Sequence, residues 1–170
     1  MKWVVVALAA VCACGGGDAA PSVGDDVQPF VPASAAELAD FLPPRLAGAG
    51  RQVLPDYMKV KEGDGHAAYL AASASGVSRT LNLNLAHVVG EDLEQARSLM
   101  ERGKRFTVHG RRVQRTVTPE ARRTEARALV ADAVLVTLTV DGAEAENESV
   151  QAMAEVDLDG IERLIERSTP

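Results

Sequence analysis

Apolar and polar residues alternate along this chain in two distinct periods, and the switches between them divide it into elements. Val77, Leu81, Leu83 and Leu85 are interleaved with Ser78, Thr80, Asn82 and Asn84, the period of two of a strand with one packed face and one solvated face. Val134, Val136, Leu138 and Val140 alternate with Leu135, Thr137 and Thr139 in the same way. Residues 67–74 are expected to pair with the first of these strands across a turn at Ser75-Gly76. Gly63-Asp64-Gly65 marks an earlier turn, so residues 52–61 are expected to form a preceding strand. Phe106 and Val108 lead into His109-Gly110, and Val113, Arg115 and Val117 lead out, the pattern of a hairpin. Residues 118–130 admit two readings: Thr118-Pro119-Glu120 opens like a helix, while 126–130 reads as a strand before Asp132. A short turn followed by a strand is preferred.

Helical spacing appears elsewhere. Ser34-Ala35-Ala36-Glu37 is a capping box, followed by Leu38, Phe41 and Leu42 on one face and stopped by Pro43-Pro44. Residues 91–102 carry acidic Glu91 and Asp92 at the start and Arg102 at the end, which suits the helix dipole. Leu93, Ala96, Leu99 and Met100 form the stripe, and Gly103 follows as a stop. Residues 147–154 suggest a short helix. The last helix starts near Asp157, with Leu158, Ile161, Leu164 and Ile165 on one side. Short links between strands require antiparallel pairing. The expectation is therefore an α+β domain: an antiparallel sheet of six to seven strands with helices on one face. The repeated order of one helix and three strands points to an internal α-βββ duplication.

The first residues follow neither period. Met1-Lys2 is a short positive start, and Trp3 to Val11 is an apolar run of roughly nine residues, the length of a signal h-region and too short to span a bilayer. Val11-Cys12-Ala13-Cys14 closes it and resembles the lipobox of bacterial lipoproteins. That resemblance implies cleavage before Cys14 and a multiply acylated, palmitate-type lipid anchor on its side chain. Ordinary secretory cleavage after Ala13 is the alternative. Residues 1–13 are thus read as a signal peptide. Residues 14–33, rich in Gly, Ala, Asp and Pro, are read as the lipidated cysteine and a flexible tether, spanning on the order of 25 Å. Gly15 after Cys14 favours an outer-membrane, periplasm-facing location in a diderm host. Residues 34–170 make one domain by length.

The chain has two cysteines, both in the signal region, so the domain is expected to hold no disulfide and no thiol nucleophile. A net charge of −6 argues against nucleic acid as a partner. His66, His87 and His109 fit no metal-ligand spacing. No G-x-S-x-G, G-x-G-x-x-G or P-loop pattern occurs. An enzyme is therefore not expected, and neither a cofactor nor a metal.

From Tyr69 onward the chain resembles a set of small uncharacterised bacterial envelope proteins. The likeness rests on the Tyr-bearing strand, Thr80-Leu81-Asn82-Leu83, the Gly103-Lys104 lead-in to the hairpin, Leu129-Val130-Ala131-Asp132, and the terminal Asp157-Leu158 helix. Its strand order also resembles the PsbP/Mog1-like layer architecture. Neither likeness implies a catalytic residue.

One charge feature stands out. Arg102, Lys104, Arg105, Arg111, Arg112, Arg115, Arg122, Arg123 and Arg127 crowd one stretch of an acidic protein. Arg105, Arg111, Arg112 and Arg115 form the candidate anion-binding patch, suited by the guanidinium fork to an anionic envelope component or an acidic protein surface. The bland alternative is a solvated face neutralised by the acidic C-terminal third. On the first reading, replacing Arg111, Arg112 and Arg115 with Ser leaves folding intact and weakens anion binding. The functional expectation is a membrane-anchored envelope lipoprotein, a non-enzymatic binding or accessory module. The alternatives are a periplasmic carrier of a small apolar ligand and an enzyme without a recognisable motif.

Overall fold

A computed structural model describes residues 34–52, 65–72 and 78–168. The expected signal segment, Cys14, the expected tether, residues 53–61 of the expected early strand and the expected turn at Ser75-Gly76 lie outside the described residues.

The elements run α1 (Ala35–Ala39), β1 (Arg45–Leu46), β2 (Ala49–Gln52), β3 (Gly65–Ala72), β4 (Ser78–His87), α2 (Glu91–Leu99), β5 (Lys104–Val108), β6 (Arg111–Thr118), a 3-10 turn (Pro119–Ala121), β7 (Arg123–Val130), β8 (Val134–Asp141), α3 (Glu148–Met153) and α4 (Leu158–Ser168). The strands form one antiparallel sheet in the order β1-β2-β3-β4-β8-β7-β6-β5. Two consecutive four-strand meanders meet at its centre, where their last strands pair with Leu83 opposite Leu138.

The sheet has eight strands where six to seven were expected. The addition is the β1–β2 hairpin, whose Arg-Leu-Ala-Gly-Ala-Gly-Arg-Gln sequence offers little apolar alternation. Ala47 and Gly48 both take positive φ, 49° and 77°, as a two-residue hairpin turn needs. Leu46 and Ala49 still reach the core. The ambiguous 118–130 region resolves as a single 3-10 turn and then a strand.

Alternation decides which side chains are inside. Leu81, Leu83 and Leu85 of β4, Val134, Val136, Leu138 and Val140 of β8, and Ala126, Ala128 and Val130 of β7 are buried together. Leu38 of α1, Ala152 and Met153 of α3, and Leu158, Ile161, Leu164 and Ile165 of α4 cover them. Each fully buried Leu or Ile contributes about 1.5–3 kcal/mol against an exposed one. Ser34 caps α1 as the sequence suggested, with its hydroxyl accepting from the Glu37 N–H while Glu37 accepts from the Ser34 N–H.

Helix α2 departs from the one-face expectation. The Met100 carbonyl at its end accepts hydrogen bonds from the Gln114 Nε2 and Arg112 side chains of β6. Those two positions alternate with core-facing Val113, so they stand on the opposite face. Ala96 and Met100 are buried without joining the main apolar cluster, and Met100 shares a cleft with Leu129 of β7. This helix carries the chain from central β4 beneath the sheet to edge strand β5. Gly103 then turns it at φ 89°, packed so tightly on the Arg115 carbonyl that a Cβ would collide. The helix is also shorter than expected, ending at Leu99 rather than residue 102.

Candidate functional site

The basic stretch maps onto β5, β6 and β7 at one end of the sheet, with its cations distributed by strand alternation. Val113 pairs with Phe106, so Arg111 and Arg115 share their face, toward α3 and α4. Arg105 pairs with Gln114 and, with Arg112, stands on the opposite face. The four candidate residues therefore do not converge on one patch.

Each arginine of β6 is held by partners inside the fold. Arg111 clamps α4: its guanidinium donates to Asp159 at 2.8 Å and 3.1 Å and to both carboxylate oxygens of Glu162. Arg112 donates to Glu101 at 3.0 Å and to the Met100 carbonyl, fastening the end of α2. Arg115, only 8% exposed, donates to Glu146 at 3.0 Å and to Asn147 before α3. Its guanidinium also lies 5.1 Å from the Phe106 ring centroid. Charge-assisted, forked hydrogen bonds are the strong kind, and cation–π contact adds to them. Arg123 pairs with Asp141 at 2.5 Å, Arg127 with Glu125, and Arg97 with Glu94 and Asp132.

The titration directions follow. Hydrogen bonding to Arg111 holds the carboxyls of Asp159 and Glu162 below the usual carboxylate range, and they in turn push the guanidinium up. The Arg112 hydrogen bond does the same to Glu101. The arginines of β6 thus act as fastenings between the sheet and the helices. The Arg111, Arg112 and Arg115 triple is structural in its contacts, so its substitution with Ser is expected to cost stability.

What remains uncommitted is Arg122, exposed at the β6–β7 turn, and a group one strand further out. Arg102, Lys104 and Arg105 are exposed at the start of β5. Among the described residues, no carboxylate lies within ion-pair distance of Arg102 or Lys104. Arg105 reaches Glu101 only at 4.0 Å, with both side chains more than 60% exposed, an arrangement of little strength in water. Lys104 sits 5.5 Å from the Phe106 ring. Of the four candidates, Arg105 alone keeps its charge largely available. Lys104 and Arg102, part of the basic stretch but outside the four-residue candidate patch, join it. Their distinguishing property is the edge position of β5, which depends on strand order and has no local sequence signal.

The three histidines lie on different elements. His66 on β3 and His87 at the end of β4 alternate onto different faces, and burial lowers the His87 pKa. His109 occupies the β5–β6 turn at φ 48°, where its Nε2 lies 2.8 Å from the Ala154 carbonyl. No group of three or more His, Cys, Asp or Glu residues among the described residues is placed to hold a metal. A cleft of about 220 Å³ between α3 and β4 contains Arg79, Glu148 and Glu155 over Leu81, Val140 and Ala152. Its charges are already engaged: Arg79 donates to Glu148 at 3.0 Å, Glu148 accepts from the Glu144 and Ala145 N–H groups, and Glu155 accepts from the Ala47 N–H. A second cleft, of about 240 Å³, lies between His109 and the α3–α4 corner. No helix among the described residues is long and apolar enough to cross a membrane. In comparisons with known proteins, no family model, no curated protein and no solved structure matches this chain.

Proposed function

We propose that this protein is a bacterial envelope lipoprotein, held in the membrane by acylated Cys14 and presenting a non-enzymatic binding or accessory domain on a flexible tether. The carrying observation is the sequence Val11-Cys12-Ala13-Cys14 closing a short apolar run, followed directly by a Gly-, Asp- and Pro-containing spacer. Each buried CH₂ contributes about 0.8 kcal/mol to membrane attachment, and a second chain makes attachment stable. In a diderm host, Gly15 favours the outer membrane, with the domain in the periplasm. The partner is an anionic component of the envelope, met through the exposed cations at the start of β5.

Two features favour this reading over a carrier or an enzyme. Large aliphatic side chains, including Leu81, Leu83, Leu85 and Leu138, fill the layer between sheet and helices with essentially no exposure. The charged side chains of the α3 cleft are tied to each other and to backbone groups. We also read the two helix-plus-meander halves as a duplicated unit, now of four strands each, with α3 and α4 added to the second.

The test is the intact mass of the protein purified from its native membrane beside a Cys14→Ser variant. A mass for the chain beginning at Cys14 plus acyl groups, lost in the variant, is expected. An unmodified chain in both overturns the anchored reading.

A further inference from the structure

We infer that the outer edge of β5 is a docking edge for an extended acidic segment of a partner protein, which adds to the sheet as a further strand. This deepens the proposed binding role and rests on it. Strand β5 ends the sheet and pairs only with β6 among the described residues. An edge strand presents a row of unpaired N–H and C=O groups that templates another strand. Lys104 alternates toward the α3 side and Arg105 toward the other, with exposed Arg102 just before them. A strand laid along this edge would therefore meet a cation on either flank, whichever way its own side chains alternate.

Charge selects the partner. Five of the nine cations of the basic stretch are neutralised within the fold, while these three, and Arg122 at the β6–β7 turn, remain in a chain of net charge −6. The attraction is therefore local to the edge. A membrane surface fits less well, because three cations at about 1 kcal/mol each near anionic lipid must work against the net negative charge of the whole chain. Lysine on an edge also discourages pairing with identical chains, so the same residues that admit an acidic strand repel a second copy of β5.

The test titrates the full chain in detergent with a labelled synthetic peptide of alternating Glu and Val, read by fluorescence anisotropy. The comparisons are the same peptide fully N-methylated, a Lys104→Glu/Arg105→Glu variant, and vesicles of equal parts phosphatidylglycerol and phosphatidylcholine. Binding that falls about tenfold or more in the charge-reversed variant, and likewise on N-methylation, is expected from lost charge pairing and backbone hydrogen bonds. The thermal midpoint of the variant should match the parent. Equal binding of the N-methylated peptide overturns strand addition, and unchanged binding by the variant overturns the role of the cations. Vesicle capture that is lost in the charge-reversed variant, without peptide binding, overturns the proposal in favour of a lipid surface, because capture through the Cys14 anchor is the same in parent and variant. The Cys14 mass is independent of all these outcomes, so failure here leaves the anchored reading standing.

Discussion

Tyr69 offers a clean test of the packing around α1. Its side chain is fully buried on β3, opposite Leu81, and its hydroxyl donates to the Pro43 carbonyl at 2.8 Å. Burial pushes its pKa from 10 up to about 12. Tyr69→Phe removes the donor and leaves the carbonyl without it, which costs about 1–2 kcal/mol. Tyr69→Ala also empties the ring site and should cost about 3–5 kcal/mol, by analogy with other buried aromatics. The sign of the alkaline effect is fixed by the raised pKa: the folded state holds the phenol proton more tightly than the unfolded state. The contribution is fully present below pH 10 and falls away as the pH rises from 10 toward about 12. Two pKa units correspond to about 2–3 kcal/mol. Urea unfolding at neutral and alkaline pH measures both effects. Tyr57 is the only other tyrosine, so in a Tyr57→Phe background tyrosinate absorbance reports the titration of Tyr69 alone. A Tyr69→Phe variant as stable as the parent, with the same alkaline loss, would refute the reasoning.

Gly160→Ala places a Cβ 2.6 Å from the Phe41 ring and closer still to the Asp157 carboxylate. A thermal scan should show destabilisation of about 1–3 kcal/mol from overpacking, although alanine is the better helix former. The depressed carboxyl pKa values of Asp159 and Glu162 predict a contribution present above the ordinary carboxylate range and lost as the pH falls through the lowered values. An Arg111→Met variant should show a shallower acid loss in urea midpoints than the parent; parallel curves would show that the Arg111 clamp carries none of it.

Much of the architecture was legible because it depends on local periods. The alternation in β4 and β8, the Ser34 capping box and the 3.6-residue stripe of α4 each follow from side-chain spacing alone. The β1–β2 hairpin was not legible, since Leu46 and Ala49 are its only core residues and the remainder is small or charged. The face chosen by α2 was hidden too: its stripe of Leu93, Ala96 and Met100 says that it packs, while the Gln114 and Arg112 bonds to Met100 determine where. Charge was the least legible. The run from Arg102 to Arg127 is continuous in sequence, yet Arg111, Arg112 and Arg115 find Asp159, Glu162, Glu101 and Glu146 from elements up to 51 residues away. The bland expectation, neutralisation by acidic residues, describes β6 well, with much of that acid drawn from the C-terminal third. At Arg105 and its neighbours Arg102 and Lys104, by contrast, the cations are left exposed.

The division of that basic run between fold and edge is most directly tested by urea unfolding of two multiple variants side by side. One carries Arg111→Ser, Arg112→Ser and Arg115→Ser; the other carries Lys104→Ser and Arg105→Ser. The first should lose more than about 2 kcal/mol, since buried Arg115 alone gives up a ring contact and two hydrogen bonds. The second should stay within about 0.5 kcal/mol of the parent, as surface substitutions do. A triple variant that unfolds with the parent, or an edge variant that falls well below it, would contradict the account.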